Sequence, residues 1–143
     1  MYFFTGSWRH RDHCAREVSE KLLEFLGSEN DTVFVAHNAP FDISFLAAAS
    51  AVHGYLWPSY RVIDTVKAVC YVLSKDDVIN YPLATLSSYF KTQVAPSHRA
   101  LDDALATIDV LYGIIERMGS FGITTINQML IANSKRKPNL TNI

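Results

Sequence analysis

The spacing of apolar residues along the chain predicts helices that alternate with two short strands. Apolar residues three or four positions apart indicate helices, and short β-branched apolar runs indicate strands buried on both faces. In chain order, this pattern predicts a helix over 14–26, a strand over 32–36, a helix from Pro40 to about His53, a strand over 61–64, and helices over about 65–73, 83–90, 100–118 and 124–132. Helices mixed with strands in this order indicate the α/β class.

Local signals predict where several of these elements begin and end. Asp12 is a candidate cap for the first helix, Asp64 is a candidate N-cap for the helix at 65, and Gly119 is expected to end the long helix. Two strands make a marginal core, and residues 2–5 are a candidate third strand. We therefore predict a partial domain over 1–132, followed by a polar tail over 133–143.

Composition narrows the class of protein. The 143 residues fit one domain, 49% of them are hydrophobic, and the formal net charge is −1. No apolar run approaches the roughly 18 residues of a membrane span, so we expect no membrane partner. The balance of charge does not indicate nucleic-acid binding, but it is compatible with it where divalent metal ions supply positive charge. Cys14 and Cys70 are expected to be reduced thiols, which favours a cytoplasmic location.

The long helix over 100–118 distinguishes two neighbouring acids. Its predicted core row is Leu101, Leu105, Ile108, Tyr112 and Ile115. Asp102 falls on the predicted solvent row with Asp109 and Glu116, whereas Asp103 lines up with Val110 and Ile114 beside the core. A carboxylate beside the core is costly without a metal ion or a hydrogen-bond donor. Asp103 is therefore the functional candidate, and a favourable interaction with the helix dipole is the alternative.

Three further positions carry candidate chemistry. His98 lies five residues before Asp103, about 140° away on a continuous helix, so the two can meet only if His98 lies on the preceding loop. A loop histidine there would suit a general base. Asp42 lies one turn after a predicted buried strand, at a position where α/β proteins place ligands. The alternative interpretation is an acid that caps the first turn of a helix. The first interpretation of Asn38 is a helix cap. The first interpretation of Phe41 is a core residue, although its ring could also pack against a base or sugar.

Two segments resemble motifs of a known family. Residues 33–46, VFVAHNAPFDISFL, and residues 98–107, HRALDDALAT, resemble the second and third motifs of the DEDDh 3′–5′ exonucleases. They are most similar to the proofreading ε-type subunits or domains of bacterial DNA polymerase III. Residues 105–113, LATIDVLYG, resemble a subgroup in which a GIY-YIG nuclease domain follows the exonuclease.

The resemblance implies a ribonuclease-H-like fold with a five-stranded sheet and hydrolysis at 3′ ends with two Mg²⁺ or Mn²⁺ ions. It implies that Asp42 and Asp103 bind metal and that His98 deprotonates the attacking water. His37, Asn38 and Phe41 match the positions that hold the terminal nucleotide. The implied partners are the 3′ end of DNA, expected to be single-stranded with RNA left open, and DNA polymerase III subunits.

One departure changes these expectations. The family's first motif, an Asp-x-Glu pair on the opening strand, does not occur among the 36 residues before His37. We therefore expect an N-terminally shortened exonuclease fold without its first strands, one metal ion or none, and doubtful activity for the chain alone. The exposed edge of the 32–36 strand should favour instability or self-association. The alternative function is an inactive module that binds nucleic acid or a polymerase.

Overall fold

The elements follow the predicted order. A computed structural model describes residues 8–134, with side chains from residue 16 onward. Its elements are α1 (Trp8–Leu26), β1 (Val33–Ala36), α2 (Ala39–Val52), β2 (Arg61–Asp64), α3 (Thr65–Val72), α4 (Leu83–Phe90), α5 (Ala100–Ser120) and α6 (Ile126–Ser134). The α/β class is confirmed, and the candidate strand at 2–5 lies outside the described residues. Within residues 8–134, no helix combines the length and the apolar character needed to cross a membrane.

Helix α1 begins earlier than predicted. It starts at Trp8, so Asp12 lies inside the helix and the prediction that Asp12 caps it is wrong. The first turns consist almost entirely of basic and polar residues, WRHRDH, and the apolar periodicity begins only at Ala15. Periodicity therefore located the amphipathic part of the helix and missed its polar start.

The chain forms two compact units. Within the described residues, the first comprises residues 8–33 and 40–61, and the second comprises residues 34–39 and 62–134. Within the first unit, the Tyr60 hydroxyl donates to the Gly27 carbonyl at 3.0 Å, and the Ser59 amide donates to the Glu29 carboxylate at 2.7 Å. These bonds attach the segment before β2 to the end of α1, and Tyr60 is buried.

Strands β1 and β2 pair as a small parallel sheet. A parallel pair needs a long crossover connection, which the segment containing α2 supplies. All four residues of β1 are half-buried, so the prediction of a strand buried on both faces is wrong. Among the described residues β1 has only β2 as a strand neighbour. Ile63 and Asp64 at the end of β2 are buried.

Helix α5 packs on a different face from the predicted one. Its fully buried residues are Ala106, Val110, Ile114 and Met118. The predicted core row is exposed, with Leu101 at 69% and Tyr112 at 67%. Residues four apart on the other side of the helix face α3 and α4 instead. The helix also continues through Gly119 to Ser120, beyond its predicted end.

Helices α4 and α5 approach each other closely at Gly113. A Cβ added at Gly113 would lie 2.3–2.9 Å from three ring atoms of Phe90. Phe90 also packs edge-on against Tyr89, with ring centroids 5.0 Å apart, which restricts the movement of its ring. The absence of a side chain at Gly113 is therefore what allows these two helices to meet.

We predict that Gly113→Ala destabilises the chain by about 1–3 kcal/mol, because the Phe90 ring must move out of a packed interface. Gly119→Ala is the matched control on the same helix, since a Cβ there meets nothing within 4 Å. Because alanine has a better helix propensity than glycine, Gly119→Ala should leave the free energy of unfolding unchanged or raise it by up to about 1 kcal/mol. Denaturant unfolding of both variants is the measurement, and equal stabilities would contradict the prediction.

Candidate functional site

The turn after β1 contains two of the predicted site residues. Asn38 is exposed and adopts a left-handed backbone with φ of 66°, a conformation that asparagine tolerates better than most residues. Its backbone N–H donates to Asp64 Oδ1 at 3.1 Å. The end of β2 thus holds the turn that follows β1, through one carboxylate oxygen.

His37 is tied to the same region of β2 and α3. Its Nδ1 lies 2.9 Å from the hydroxyl of Thr65, the first residue of α3. Thr65 is fully buried, and its hydroxyl also donates to the Ala36 carbonyl at 3.4 Å. The half-buried His37 ring therefore has a defined orientation relative to the ends of both strands.

Asp64 caps helix α3, as predicted. Its Oδ1 accepts from the Val66 amide at 3.0 Å as well as from Asn38. Its backbone pairs with a side chain far along the sequence: the Asn133 Nδ2 group donates to the Asp64 carbonyl at 2.8 Å, and the Asp64 amide donates to Asn133 Oδ1 at 3.3 Å. Asn133 was predicted to begin a polar tail; instead it is buried within α6.

Helix α2 places Asp42 and Phe41 in its first turn. Asp42 is half-buried, and Phe41 is 70% exposed. The first interpretation of Phe41 as a core residue is therefore wrong. The helix sequence APFDISFLAAASAV is apolar on all sides, so periodicity could not identify the buried face. An exposed aromatic ring remains available for stacking on a base.

His98 lies on the loop before α5, which confirms its predicted position off the helix. Its backbone is left-handed, with φ of 62°, and α5 begins two residues later at Ala100. Asp103 Oδ1 accepts from the amide of His98 at 3.2 Å and from that of Ser97 at 3.1 Å. The structure therefore brings His98 and Asp103 together. Asp103 makes specific bonds to the loop, in addition to any interaction with the helix dipole.

Asp102 and Asp109 differ from the solvent row predicted for them. Both are half-buried. Asp102 accepts a hydrogen bond from the Ser97 hydroxyl at 2.5 Å, and Asp109 accepts one from the Gln93 amide at 2.8 Å. The predicted solvent-facing row is therefore wrong for these two acids, which hold the connection between α4 and α5.

The predicted catalytic residues are divided between the two compact units. Asp42 belongs to the first unit, and His98 and Asp103 belong to the second. Among the described residues, no group of three or more His, Cys, Asp or Glu side chains could hold a metal ion. The described residues therefore do not by themselves form a complete metal site, and the metal-binding roles of Asp42 and Asp103 stay predictions.

Thr65 and Asn133 are site residues that the sequence interpretation did not identify. Thr65 directly follows Asp64, the predicted N-cap, and its place as a second polar residue at the end of a strand is a signal that could have identified it. Asn133 gave no local signal, because its partner Asp64 is 69 positions away. Among the buried polar residues of the second unit, Asp64, Thr65 and Asn133 share one cluster.

Comparison with known proteins identifies the family of this chain. The family model described as exonuclease matches residues 2–111. The chain belongs to the exonuclease family. This confirms the predicted resemblance to exonucleases associated with DNA polymerase III and identifies the coarse fold as ribonuclease-H-like. No solved structure matches the chain.

Several curated relatives carry similar segments. A protein of Mycobacterium tuberculosis (strain CDC 1551 / Oshkosh), named as a bifunctional exonuclease/endonuclease, is 45% identical over 112 residues, which is 78% of this chain and 17% of that protein. The PolC-type DNA polymerase III of Thermotoga maritima is 36% identical over 126 residues, 87% of this chain and 9% of the polymerase. The corresponding polymerase of Caldanaerobacter subterraneus is 32% identical over 112 residues, 78% of this chain and 8% of the polymerase. The exonuclease family member described here thus spans less than a fifth of each of these relatives.

We predict that Asp103→Ala destabilises this family member by about 1 kcal/mol, because two loop amides lose their acceptor. Asp103→Asn keeps an oxygen at the same place and should retain most of that stability. Denaturant unfolding measures both variants. Equal losses in the two would indicate that the carboxylate charge matters for stability more than the acceptor does.

Proposed function

We propose that the chain is part of a metal-dependent 3′–5′ exonuclease that removes nucleotides from the ends of single-stranded DNA in proofreading or repair. The observation that carries the proposal is the loop before α5, in which the amide of a left-handed His98 is bonded to the Asp103 carboxylate. In a member of the exonuclease family, this backbone contact supports the proposal that His98 and Asp103 act at the same site. A DEDDh-type site uses such a pair.

Each predicted residue has a proposed role that suits its chemistry. His98 is the general base, because a loop imidazole can exchange protons near neutral pH. Asp42 and Asp103 are the metal ligands, since carboxylate oxygens suit Mg²⁺ and Mn²⁺. His37, Asn38 and Phe41 bind the terminal nucleotide, with the exposed Phe41 ring as a stacking surface. A bound divalent ion would supply charge neutralisation on the phosphodiester.

The second candidate is a module that binds a 3′ end or a polymerase without hydrolysis. It is favoured by the exposed Phe41 ring, which would stack on a base whether or not hydrolysis follows. The relatives named as DNA polymerase III motivate polymerase subunits as proposed partners. The cytoplasm is the proposed compartment, because two cysteines in 143 residues fit a reducing environment.

The test is whether the chain, with Mg²⁺ or Mn²⁺, shortens a 5′-labelled single-stranded oligonucleotide from its 3′ end: the first candidate predicts nucleotide release, and the second predicts binding alone. His98→Asn and Asp103→Asn should each lower the rate by about 100-fold or more, as expected for loss of a base or a ligand. Asp102→Asn is the matched control and should keep the rate, because Asp102 holds Ser97 and has no proposed catalytic role.

Gel analysis of the products, with a chelator and a 3′-phosphorothioate substrate as further controls, checks the metal requirement and the direction. Oligonucleotide binding without nucleotide release would support the second candidate. If the chain shows no oligonucleotide binding and no nucleotide release, both proposals are contradicted.

We also predict that Asn38→Gly weakens oligonucleotide binding about fivefold, the effect of one lost hydrogen bond, while stability is kept because glycine adopts a left-handed backbone without strain. Asn38→Ala should show the same loss of binding and also lose about 1 kcal/mol of stability. Fluorescence anisotropy and denaturant unfolding measure the two effects. Unchanged binding in both variants would remove Asn38 from the proposed site.

A further inference from the structure

The side chain of Asn133 connects the last helix to the end of β2. Asn133 lies in α6 and is 7% exposed. Its Nδ2 group donates to the Asp64 carbonyl at 2.8 Å, and its Oδ1 accepts from the Asp64 amide at 3.3 Å. Two bonds to the N–H and C=O of one strand residue are the pattern of a hydrogen-bonded pair in an antiparallel ladder. Helix α6 therefore gives the end of β2 a partner in the manner of a neighbouring strand.

Neither helix propensity nor apolar packing accounts for an asparagine at this place in α6. Asparagine is a weaker helix former than leucine or methionine. Burying an amide group costs free energy unless both of its ends are hydrogen-bonded. The other buried residues of the helix, Met129 and Ala132, are apolar, and the helix packs against α3. The bonds to Asp64 satisfy both ends of the Asn133 amide, and they therefore compensate for its burial.

The residue that Asn133 holds is also the residue that holds the turn after β1. The Asp64 Oδ1 atom accepts from the Asn38 amide at 3.1 Å and from the Val66 amide at 3.0 Å. The direction of this carboxylate depends on the Asp64 backbone, because side chains adopt staggered positions relative to their own backbone. A series of direct hydrogen bonds therefore runs from Asn133 through Asp64 to Asn38, and all three residues lie in the second compact unit.

The turn needs this support because of the backbone of Asn38. Its φ of 66° is left-handed, a conformation that costs free energy in residues other than glycine and persists where the surroundings enforce it. The amide that Asp64 accepts belongs to this residue, so a loosened Asp64 would no longer favour its conformation. Helix α6 lies outside residues 2–111, which the exonuclease family model matches. The support thus comes from beyond the matched segment.

We propose that Asn133 is a positioning residue for the turn that carries Asn38. By pairing with the backbone of Asp64, it fixes the carboxylate that holds Asn38 in its left-handed conformation. The consequence for substrate rests on the proposed role of Asn38 in binding the terminal nucleotide. Asn133 contacts no substrate in this proposal and acts through Asp64 alone. Helix α6 is thereby part of the framework of the nucleotide-binding turn.

Hydrogen exchange of individual backbone amides, followed by NMR in the absence of DNA, tests the positioning role. Asn133→Ala should raise the exchange rate at the Asn38 amide about fivefold or more, the effect of losing one hydrogen bond. Asn127→Ala is the matched control, because Asn127 is exposed on the same helix. Met129→Ala removes buried packing from α6 and leaves the Asn133 amide in place, so it controls for general loosening of the helix.

The comparison between the two buried positions decides the outcome. Relative to the loss of global stability measured by denaturant unfolding, Asn133→Ala should raise exchange at Asn38 more than Met129→Ala does. Equal relative rises would overturn the proposal, as would an unchanged rate in Asn133→Ala. If Asn133→Ala does not fold, the wild-type chain decides. Its Asn38 amide and its Asn133 side-chain amide should both be protected from exchange, and rapid exchange of either would overturn the proposal.

An oligonucleotide assay measures the functional consequence. Asn133→Ala should raise KM, or Kd where there is no turnover, by about fivefold with little change in kcat, because Asp103 holds His98 through a separate bond. Asn127→Ala should leave these values unchanged. A fall in kcat with an unchanged KM would contradict the positioning role.

The exchange measurement does not depend on nuclease activity, so the two proposals fail in different ways. If exchange at Asn38 responds as expected in a chain that neither binds nor cleaves DNA, the proposed function is refuted and the positioning of Asn38 by Asn133 stands. If the chain cleaves DNA and exchange at Asn38 does not respond, the positioning role is refuted and the proposed function stands.

Discussion

The turn after β1, which carries His37 and Asn38, depends on the hydrogen bonds of one buried residue, Asp64. It ends β2, caps α3 through Val66, holds the amide of Asn38, and pairs its own backbone with Asn133 of α6. Each of these donors and acceptors would cost about 1–3 kcal/mol if left buried without a partner. The turn after β1, the start of α3 and the last helix are thus fixed by shared bonds, and moving one of them would leave polar groups of the others unsatisfied.

The loop before α5 uses the same device. In both places an aspartate side chain accepts a backbone N–H from a left-handed residue other than glycine, Asn38 in one case and His98 in the other. Such backbone costs free energy and persists where the surroundings enforce it, which occurs often at functional sites. The two residues that combine a left-handed backbone with an aspartate acceptor are both residues that the sequence motifs had already identified. At these two positions strained backbone and candidate chemistry coincide, whereas Lys91 at the end of α4 is left-handed and has no predicted role.

The sequence predicted those features of the structure that depend on short stretches of chain, and it missed those that depend on contacts between distant segments. Periodicity, β-branched runs and the Asp64 cap are local, and they located every helix and both strands in residues 8–134. The buried face of α5 was missed because the helix is apolar on two sides, and only packing against α3 and α4 selects Val110 and Ile114 over Leu101. The role of Asn133 was missed because a side-chain pairing across 69 residues leaves no pattern in either segment.

The spacing of five between His98 and Asp103 has a geometric origin in the start of α5. Arg99 is the N-cap, so Asp103 is the fourth helical residue, and side chains on a helix lean toward its N-terminus. From that position the carboxylate reaches the amides of Ser97 and His98, the two residues before the cap. Asp102, one position earlier, reaches the Ser97 hydroxyl instead. The two adjacent acids thus hold the same loop in different ways: Asp103 accepts the backbone N–H groups of Ser97 and His98, and Asp102 accepts the Ser97 hydroxyl.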